Sequence, residues 1–316
     1  MLGTTRVVQH ELFSVVIPVY NSAKILAITV SRVRAFFLTR GLRFEVVLVN
    51  DGSSDASWEV ISGLAQCNPE VVAIDLLKNY GQHHANLCGF REAKGDFIIT
   101  MDDDLQNPPE EIDRLIETAQ QGYDVVIGRF ESKRHSFVRR LGSRFVGWLN
   151  RAVFEVNGDL TLSNFRIIRR DVVDRVCQDR SFSPYIPGLV LKYSARRCNV
   201  SVHHSPRAEG KSNYTWRKIL RLVATILFNY STIPLRYAAA FGFLVAGGSF
   251  LLSLYFLLSA MIMGTNAPGW ASLVVLLSFF NGVLILLLSI IGEYLIRILR
   301  ELGAQRTYEV RAIERG

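Results

Sequence analysis

Three consecutive aspartates, Asp102-Asp103-Asp104, stand directly after the apolar run Phe97–Met101, with Gln106 two residues further on. Neighbouring carboxylates repel one another, so such a cluster calls for a counter-cation. Alternate residues of an extended segment point the same way. Asp102 and Asp104 can therefore converge on one ion, with Gln106 as a third oxygen ligand. An oxygen-only set suits Mg²⁺ or Mn²⁺, ions commonly shared with substrate phosphates. The plain alternative is a solvated acidic turn leading into a helix. Asn107 reads as its N-cap, Pro108 as its first residue, and Glu110 and Glu111 suit its positive end. That reading accounts for 107–111 and leaves the aspartates without a purpose.

A second acidic motif, Asn50-Asp51-Gly52-Ser53-Ser54-Asp55, follows another apolar run. Gly52 and the serines permit a tight turn, and Ser53 or Ser54 can cap the next helix. Asp51 can also accept hydrogen bonds from a ribose or a base. Pro18-Val19-Tyr20-Asn21 and Asn79-Tyr80-Gly81-Gln82 are two further polar turns of the same kind. Adjacent histidines on a strand face opposite sides, so His203-His204 is a poor metal pair. His83-His84 opens an expected helix near the same turns, in a direct or a supporting role.

These motifs need a scaffold, and the first 130 residues supply one. Phe13–Pro18, Phe44–Asn50, Val71–Leu76 and Phe97–Met101 read as buried strands. Helices are expected between and after them, at about 22–40, 54–67, 81–94 and 108–120. That order predicts an α/β fold with a mostly parallel, Rossmann-like sheet. Ligands gather at the C-terminal strand ends of such sheets, which is where all four motifs fall. A further strand is expected at Phe165–Ile168.

The remainder of the 316 residues divides sharply. Tyr237–Gly264 and Ala271–Gly292 carry no charge. A run of about 20 apolar residues crosses a hydrocarbon layer of roughly 30 Å as a helix. The expected organisation is a catalytic domain over 1–212, a juxtamembrane amphipathic helix in 213–235, two spans within 236–297 (about 237–264 and 271–296), and a tail from 298 to 316. The N-terminus offers no secretory signal. Basic residues flank the two spans on their outer ends, Arg217, Lys218, Arg221 and Arg236 before and Arg297, Arg300, Arg306 and Arg311 after, while Thr265–Trp270 between them is uncharged. The positive-inside rule then places both termini and the catalytic domain in the cytoplasm. The net charge of +8 concentrates toward the membrane side, which favours anionic lipid over nucleic acid as partner. Cys67, Cys88, Cys177 and Cys198 form no C-x-x-C pair and are expected to be reduced, buried small hydrophobes.

In this order and at these distances the four motifs resemble the GT-A-fold glycosyltransferases of family two. The nearer likeness is to the branch of dolichol-phosphate mannose synthases and bacterial polyprenyl-phosphate glycosyltransferases, including the undecaprenyl-phosphate aminoarabinose transferases. Asn79-Tyr80-Gly81-Gln82-His83, the stretch Asp102 to Glu111, and Gly210-Lys211-Ser212-Asn213-Tyr214 carry it. The likeness covers essentially the whole chain. It implies transfer of a sugar, with inversion, from a nucleoside diphosphate, the bacterial-style motifs favouring UDP, to a polyprenyl phosphate, undecaprenyl phosphate being the bacterial default. The product would be a lipid-linked sugar for the cell envelope, made at the inner membrane. The likeness also suggests a homo-oligomer, such as a tetramer.

By the same resemblance Asp102, Asp104 and Gln106 take the metal. Pro18, Tyr20, Asn21, Asp51, Ser53, Asp55, Asn79, Gly81, Asp102 and Asp103 belong to the nucleotide region. Arg129, Arg139, Ser143, Arg207 and Lys211 meet the acceptor phosphate. Asp104, Arg129 and Asp159 are the catalytic candidates. The chemistry is coherent, because a phosphate monoester with a second pKa near 6 is largely ionised at neutral pH and attacks without a strong base. Arginine forks suit the holding of such phosphates.

One departure stands out. Many relatives carry roughly Asp-x-Gly-Asp-Phe-Arg where this chain has Thr161-Leu162-Ser163-Asn164-Phe165-Arg166. Phe165 and Arg166 match, while Thr161 and Asn164 replace the acids; Asp159 substitutes only if the alignment slips by two. Two other readings compete: a processive polysaccharide synthase, which would show a Gln-x-x-Arg-Trp motif and more spans, and a degenerate domain serving as a membrane scaffold.

Overall fold

The computed structural model describes residues 10–130, 160–179, 184–203, 269–303 and 307–316, with isolated positions between 153 and 262. The chain divides into two compact units, one formed by 1–219 together with 305–316 and the other by 220–304.

The first unit is built on strands β1 (Leu12–Val19), β2 (Arg43–Asn50), β3 (Val71–Leu76), β4 (Phe97–Thr100), β5 (Val125–Phe130), β6 (Arg166–Arg169), β7 (Arg197–Val202) and β8 (Val310–Arg315). They form one sheet in the order β7-β5-β6-β4-β1-β2-β3-β8. β1 runs parallel to both β2 and β4, β2 to β3, and β5 to β7. The pairings β4–β6, β5–β6 and β3–β8 are antiparallel. The sheet is thus mostly parallel, as expected.

Among the described residues, helices α1 (Ala23–Arg40), α2 (Ser57–Cys67), α3 (Gln82–Glu92), α4 (Ile112–Ala119), α5 (Arg170–Gln178) and α6 (Ile186–Tyr193) accompany the sheet. α1 buries Leu26, Val30, Val33 and Phe37 at helical spacing against Phe13, Val15 and Val46. Each such burial stabilises the fold by about 1.5–3 kcal/mol. α3 lies so close to the sheet that a Cβ on Gly89 would overlap the Val16 side chain, so only glycine fits there.

Pro18 falls inside β1 rather than ending it. Amides at even positions of β1 face β4, as Leu12 shows by donating to Asp96 Oδ2 at 2.8 Å. The β1–β4 ladder stops at Val16–Thr100, so the N–H that proline lacks falls past its end.

Several expectations are corrected. β4 ends at Thr100, so Asp102–Asp104 lie in a turn and their side chains do not alternate as on a strand. Asn107 is not an N-cap: a 3₁₀ turn starts at Pro109, after Pro108, and α4 follows at Ile112. Neither Ser53 nor Ser54 caps α2; Asp55 Oδ1 accepts from the Ser57 amide at 3.1 Å. Cys88 is buried, but Cys67 is exposed and Cys177 and Cys198 are half-buried; all four are free thiols. The strand expected at Phe165–Ile168 begins one residue later and runs antiparallel to β4. β8 was expected as part of a tail and instead closes one edge of the sheet.

In the second unit, α7 (Trp270–Gly303) is a 34-residue helix that contains the whole uncharged run Ala271–Gly292. Among the described residues taken alone, no helix is long and apolar enough to cross a membrane. Most of the other expected span and nearly all of the expected amphipathic helix lie outside the described residues.

Candidate active site

The turns after β1, β2, β3 and β4 are laced to one another by hydrogen bonds. In the first turn, Asn21 takes a left-handed φ of 54°. Its amide donates to Ser53 Oγ at 3.0 Å, and its Oδ1 accepts from the Ser54 amide at 2.8 Å. Asp55 ties two helix starts together, taking the Ala23 amide on Oδ2 and the Ser57 amide on Oδ1, each at 3.1 Å. Tyr20 is left 52% exposed at this rim.

Asp51 joins the second turn to the third. It is buried, and its two oxygens accept the amides of Tyr80 (2.7 Å) and Gly81 (2.9 Å). Burial raises its carboxyl above the ordinary value, while those amides and nearby His84 pull the other way. Gly52 packs against the third turn with φ 60°, and a Cβ there would overlap the Lys78 carbonyl carbon. Asn79 lies exposed beside it.

The acidic segment completes the rim. Asp102 Oδ1 accepts two amide donors, Gln82 Nε2 at 2.7 Å and Asn164 Nδ2 at 2.8 Å. Burial raises the Asp102 carboxyl, and the charge of Asp104 raises it further; the two amides and Arg166 oppose this. Asp104 Oδ1 accepts its own loop's Gln106 amide at 3.1 Å. Among the described residues no group of three or more His, Cys, Asp or Glu side chains is arranged to hold a metal. The donor set here is different: two carboxylates, the charge of Asp104 adding to burial in raising the Asp102 carboxyl, with a glutamine between them and α4. Its chemistry fits a hard divalent cation, which would relieve the repulsion between the two carboxylates.

Asp103 turns away toward the first turn. It accepts from the Ser22 hydroxyl and the Tyr20 amide, and its own carbonyl accepts Thr29 Oγ1 at 2.9 Å. Burial, followed by the charges of Asp102 and Asp104, raises its carboxyl to about 6 from an ordinary 3.8. A raised carboxyl binds its proton more tightly in the folded chain. Its contribution therefore favours folding most below about pH 4 and is lost as pH rises through about 6. Without divalent cation, the calorimetric unfolding temperature is expected to gain a contribution from this group on acidification from pH 7 to 5. Asp103→Asn, neutral throughout, should show a smaller gain; an undiminished gain would exclude Asp103 as its source.

Behind Asp102 lies a polar layer. Asn164 Oδ1 accepts from Asn86 Nδ2 (3.1 Å) and Arg166 Nη2 (3.4 Å), which orients its amide so that Nδ2 faces the aspartate. Arg166 is only 1% exposed, and its Nε donates to Thr100 Oγ1 at 3.2 Å. Burial lowers its guanidinium to about 10, so it stays charged at neutral pH. His83 is pushed down to about 4, by burial first and then by the charges of Arg166 and His84. It is therefore neutral at pH 7.

The expected residues Pro18, Tyr20, Asn21, Asp51, Ser53, Asp55, Asn79, Gly81, Asp102, Asp103, Asp104 and Gln106 thus belong to these four adjoining strand ends. Arg129 is exposed on β5 opposite Ser201, and among the described residues no hydrogen bond joins it to the acidic segment. Arg139, Ser143, Asp159, Arg207 and Lys211 lie outside the described residues. Sequence reasoning missed the supporting roles of Gln82, Asn86 and Asn164. Their signal is weak, because a side-chain amide whose partner is distant in sequence looks like any other polar residue until that partner is located.

Comparison with known proteins bears on the same geometry. The sequence profile of the family described as Glycosyl transferase family 2 matches residues 14–182. Undecaprenyl-phosphate 4-deoxy-4-formamido-L-arabinose transferase of Aeromonas hydrophila is 37% identical over 314 residues, covering 96% of this chain and 94% of that protein. The Pseudomonas paraeruginosa protein of the same name is 38% identical over 312 residues, with 96% and 91% covered. Among solved structures, glucosyl-3-phosphoglycerate synthase from Mycobacterium tuberculosis, in complex with Mn²⁺, UDP and phosphoglyceric acid, shares the fold. It has a TM-score of 0.51 and 15% identity, with 70% of this chain and 77% of that chain covered.

Proposed function

The chain belongs to glycosyl transferase family 2, and on that premise we propose that it transfers a sugar from a UDP-sugar to undecaprenyl phosphate at the cytoplasmic face of the inner membrane. The observation that carries this reading is the lacing of four strand-end turns into one rim that ends in Asp102 and Asp104. The names of the relatives support the acceptor and make UDP-4-deoxy-4-formamido-L-arabinose the first donor to test. The uncharged run within α7 supports a membrane span, with a second expected over about 237–264. A homo-oligomer remains part of the proposal by family likeness.

In the reaction, an oxygen of the acceptor phosphate attacks the anomeric carbon from the face opposite the leaving group. The bond from that carbon to the diphosphate oxygen breaks, its electron pair leaves with UDP, and the configuration inverts. The acceptor is already ionised at neutral pH. No residue need remove a proton, and the Asn164 amide could not do so. Asp51 and the Tyr20–Asn21 and Asn79–Gly81 turns would bind and orient the nucleotide. Gln82 and Asn164 hold Asp102 in place. Asp102, Asp104 and Gln106 would hold Mg²⁺ or Mn²⁺, which when bound supplies positive charge for the departing diphosphate. Arg129, with Arg139, Ser143, Arg207 and Lys211, is assigned to the acceptor phosphate, and Asp159 is retained as an acidic candidate near the sugar.

The test is transfer from radiolabelled UDP-sugars to undecaprenyl phosphate by the purified full chain with Mg²⁺, Mn²⁺ or EDTA. A lipid-linked product that needs the cation is expected. Folded protein that yields none from a broad donor panel, beside an active control enzyme, would overturn the proposal.

A further inference from the structure

The C-terminal strand β8 flanks β3 on one side, whereas the Asp51 turn leaves β2 on the other. A line of polar groups crosses between them. Arg311 Nη1 donates to Asp75 Oδ2 at 3.1 Å, across 236 positions of sequence. Asp75 is 2% exposed on β3, and equally buried Asn50 donates from Nδ2 to its other oxygen at 2.7 Å. Asn50 Oδ1 in turn accepts the Ser53 amide at 3.3 Å, and Ser53 Oγ accepts the Asn21 amide.

A second arm reaches the third turn. Arg311 Nη2 donates to the Leu77 carbonyl at 2.8 Å, and the Leu77 amide donates to the Glu309 carbonyl at 2.9 Å. Leu77 opens the segment whose Tyr80 and Gly81 amides hold Asp51. One guanidinium thus bears on both turns that meet at Asp51. A carboxylate buried in a sheet needs a cation and full hydrogen bonding, and Arg311 supplies the cation to Asp75.

We propose that Arg311 is a positioning residue for the nucleotide, acting through Asp75, Asn50 and Leu77, so that the last strand of the chain is a working part of the donor site. This rests on the donor assignment made above. Both arms end on the Asp51 turn and its partner and not on the acidic segment, which makes the task local to the nucleotide rather than general support of the fold.

The experiment measures UDP binding by calorimetry in Mn²⁺, and KM for donor and acceptor with kcat, in the full chain and in Arg311→Met, Arg311→Lys and the double variant Arg311→Met with Asp75→Asn. Arg311→Met should raise the UDP Kd and donor KM by about 3- to 10-fold, leaving kcat and acceptor KM within about twofold. Arg311→Lys should recover part of the loss, since one ammonium can meet Asp75 but lacks the planar fork that spans both acceptors. The double variant removes the uncompensated buried charge, so it keeps its fold should the single variant fail, and it should still bind UDP weakly. Wild-type-like UDP affinity in the folded double variant, or donor and acceptor KM rising together, would overturn the proposal. A wild-type chain that bound no UDP would instead overturn the donor assignment and this inference with it.

Discussion

Asp104→Ala is expected to lower sugar transfer by about 10²–10³-fold while leaving the fold intact. Asp104 sits in the turn after β4, half-buried, and its Oδ1 accepts the amide of Gln106 in its own loop. It lies outside the hydrophobic core, so its removal should shift the unfolding temperature little. Its charge is already felt by Asp102, whose carboxyl it raises. Two such carboxylates side by side cost the apo chain energy and become favourable only when a cation joins them. Asp104→Asn separates charge from hydrogen bonding, since its amide oxygen can still accept from Gln106. Transfer rates across a Mn²⁺ titration decide the matter. Both variants should be slow, with a weaker metal response; an Asn variant as fast as wild type at every Mn²⁺ concentration would remove Asp104 from the metal site.

The second large effect is expected from Asp51→Ala. This carboxylate is 3% exposed and its oxygens take the Tyr80 and Gly81 amides. Hydrogen bonds to a charged group contribute roughly 1.5–3 kcal/mol each, and a buried donor left unsatisfied costs about 1–3 kcal/mol. Burial of the charge works against this, as the raised carboxyl shows. The net loss should be about 2–4 kcal/mol, read from urea unfolding. UDP binding should fall further than stability alone explains, because the second and third turns lose their common anchor. Asp51→Asn keeps one acceptor oxygen and should lie between alanine and wild type in both measurements. A folded alanine variant with undiminished UDP affinity would show that Asp51 serves the fold alone.

Much of the architecture is legible in the residues. β1 through β4 are continuous in Val, Ile, Leu and Phe because both faces of a central parallel strand are covered, and their ends follow from the polar turns. The first helix shows its apolar face through Leu26, Val30, Val33 and Phe37. Three strands are not among those the residues announce: β5, whose buried run Val125-Val126-Ile127 is short, and the two edge strands β7 and β8. β7 is half-buried along most of its length, and β8 mixes charged with small or apolar residues at an exposed edge. Neither carries a hydrophobic run, because an edge strand has less to bury.

Readable from the residues alone are the parallel core, the order of the four polar turns at its strand ends, the uncharged runs after residue 236 and the family likeness. These are properties of neighbouring residues, set by local periodicity and by which side chains can be removed from water. Only the three-dimensional structure shows that Asp102 to Asp104 lie in a turn, that Asn164 offers an amide to Asp102, and that Arg311 reaches Asp75. The physical reason is the range of the interaction. Burial leaves its mark on each residue type along a segment, whereas a hydrogen bond between residues 62 or 236 positions apart depends on the path of the whole chain and leaves no pattern in either stretch alone.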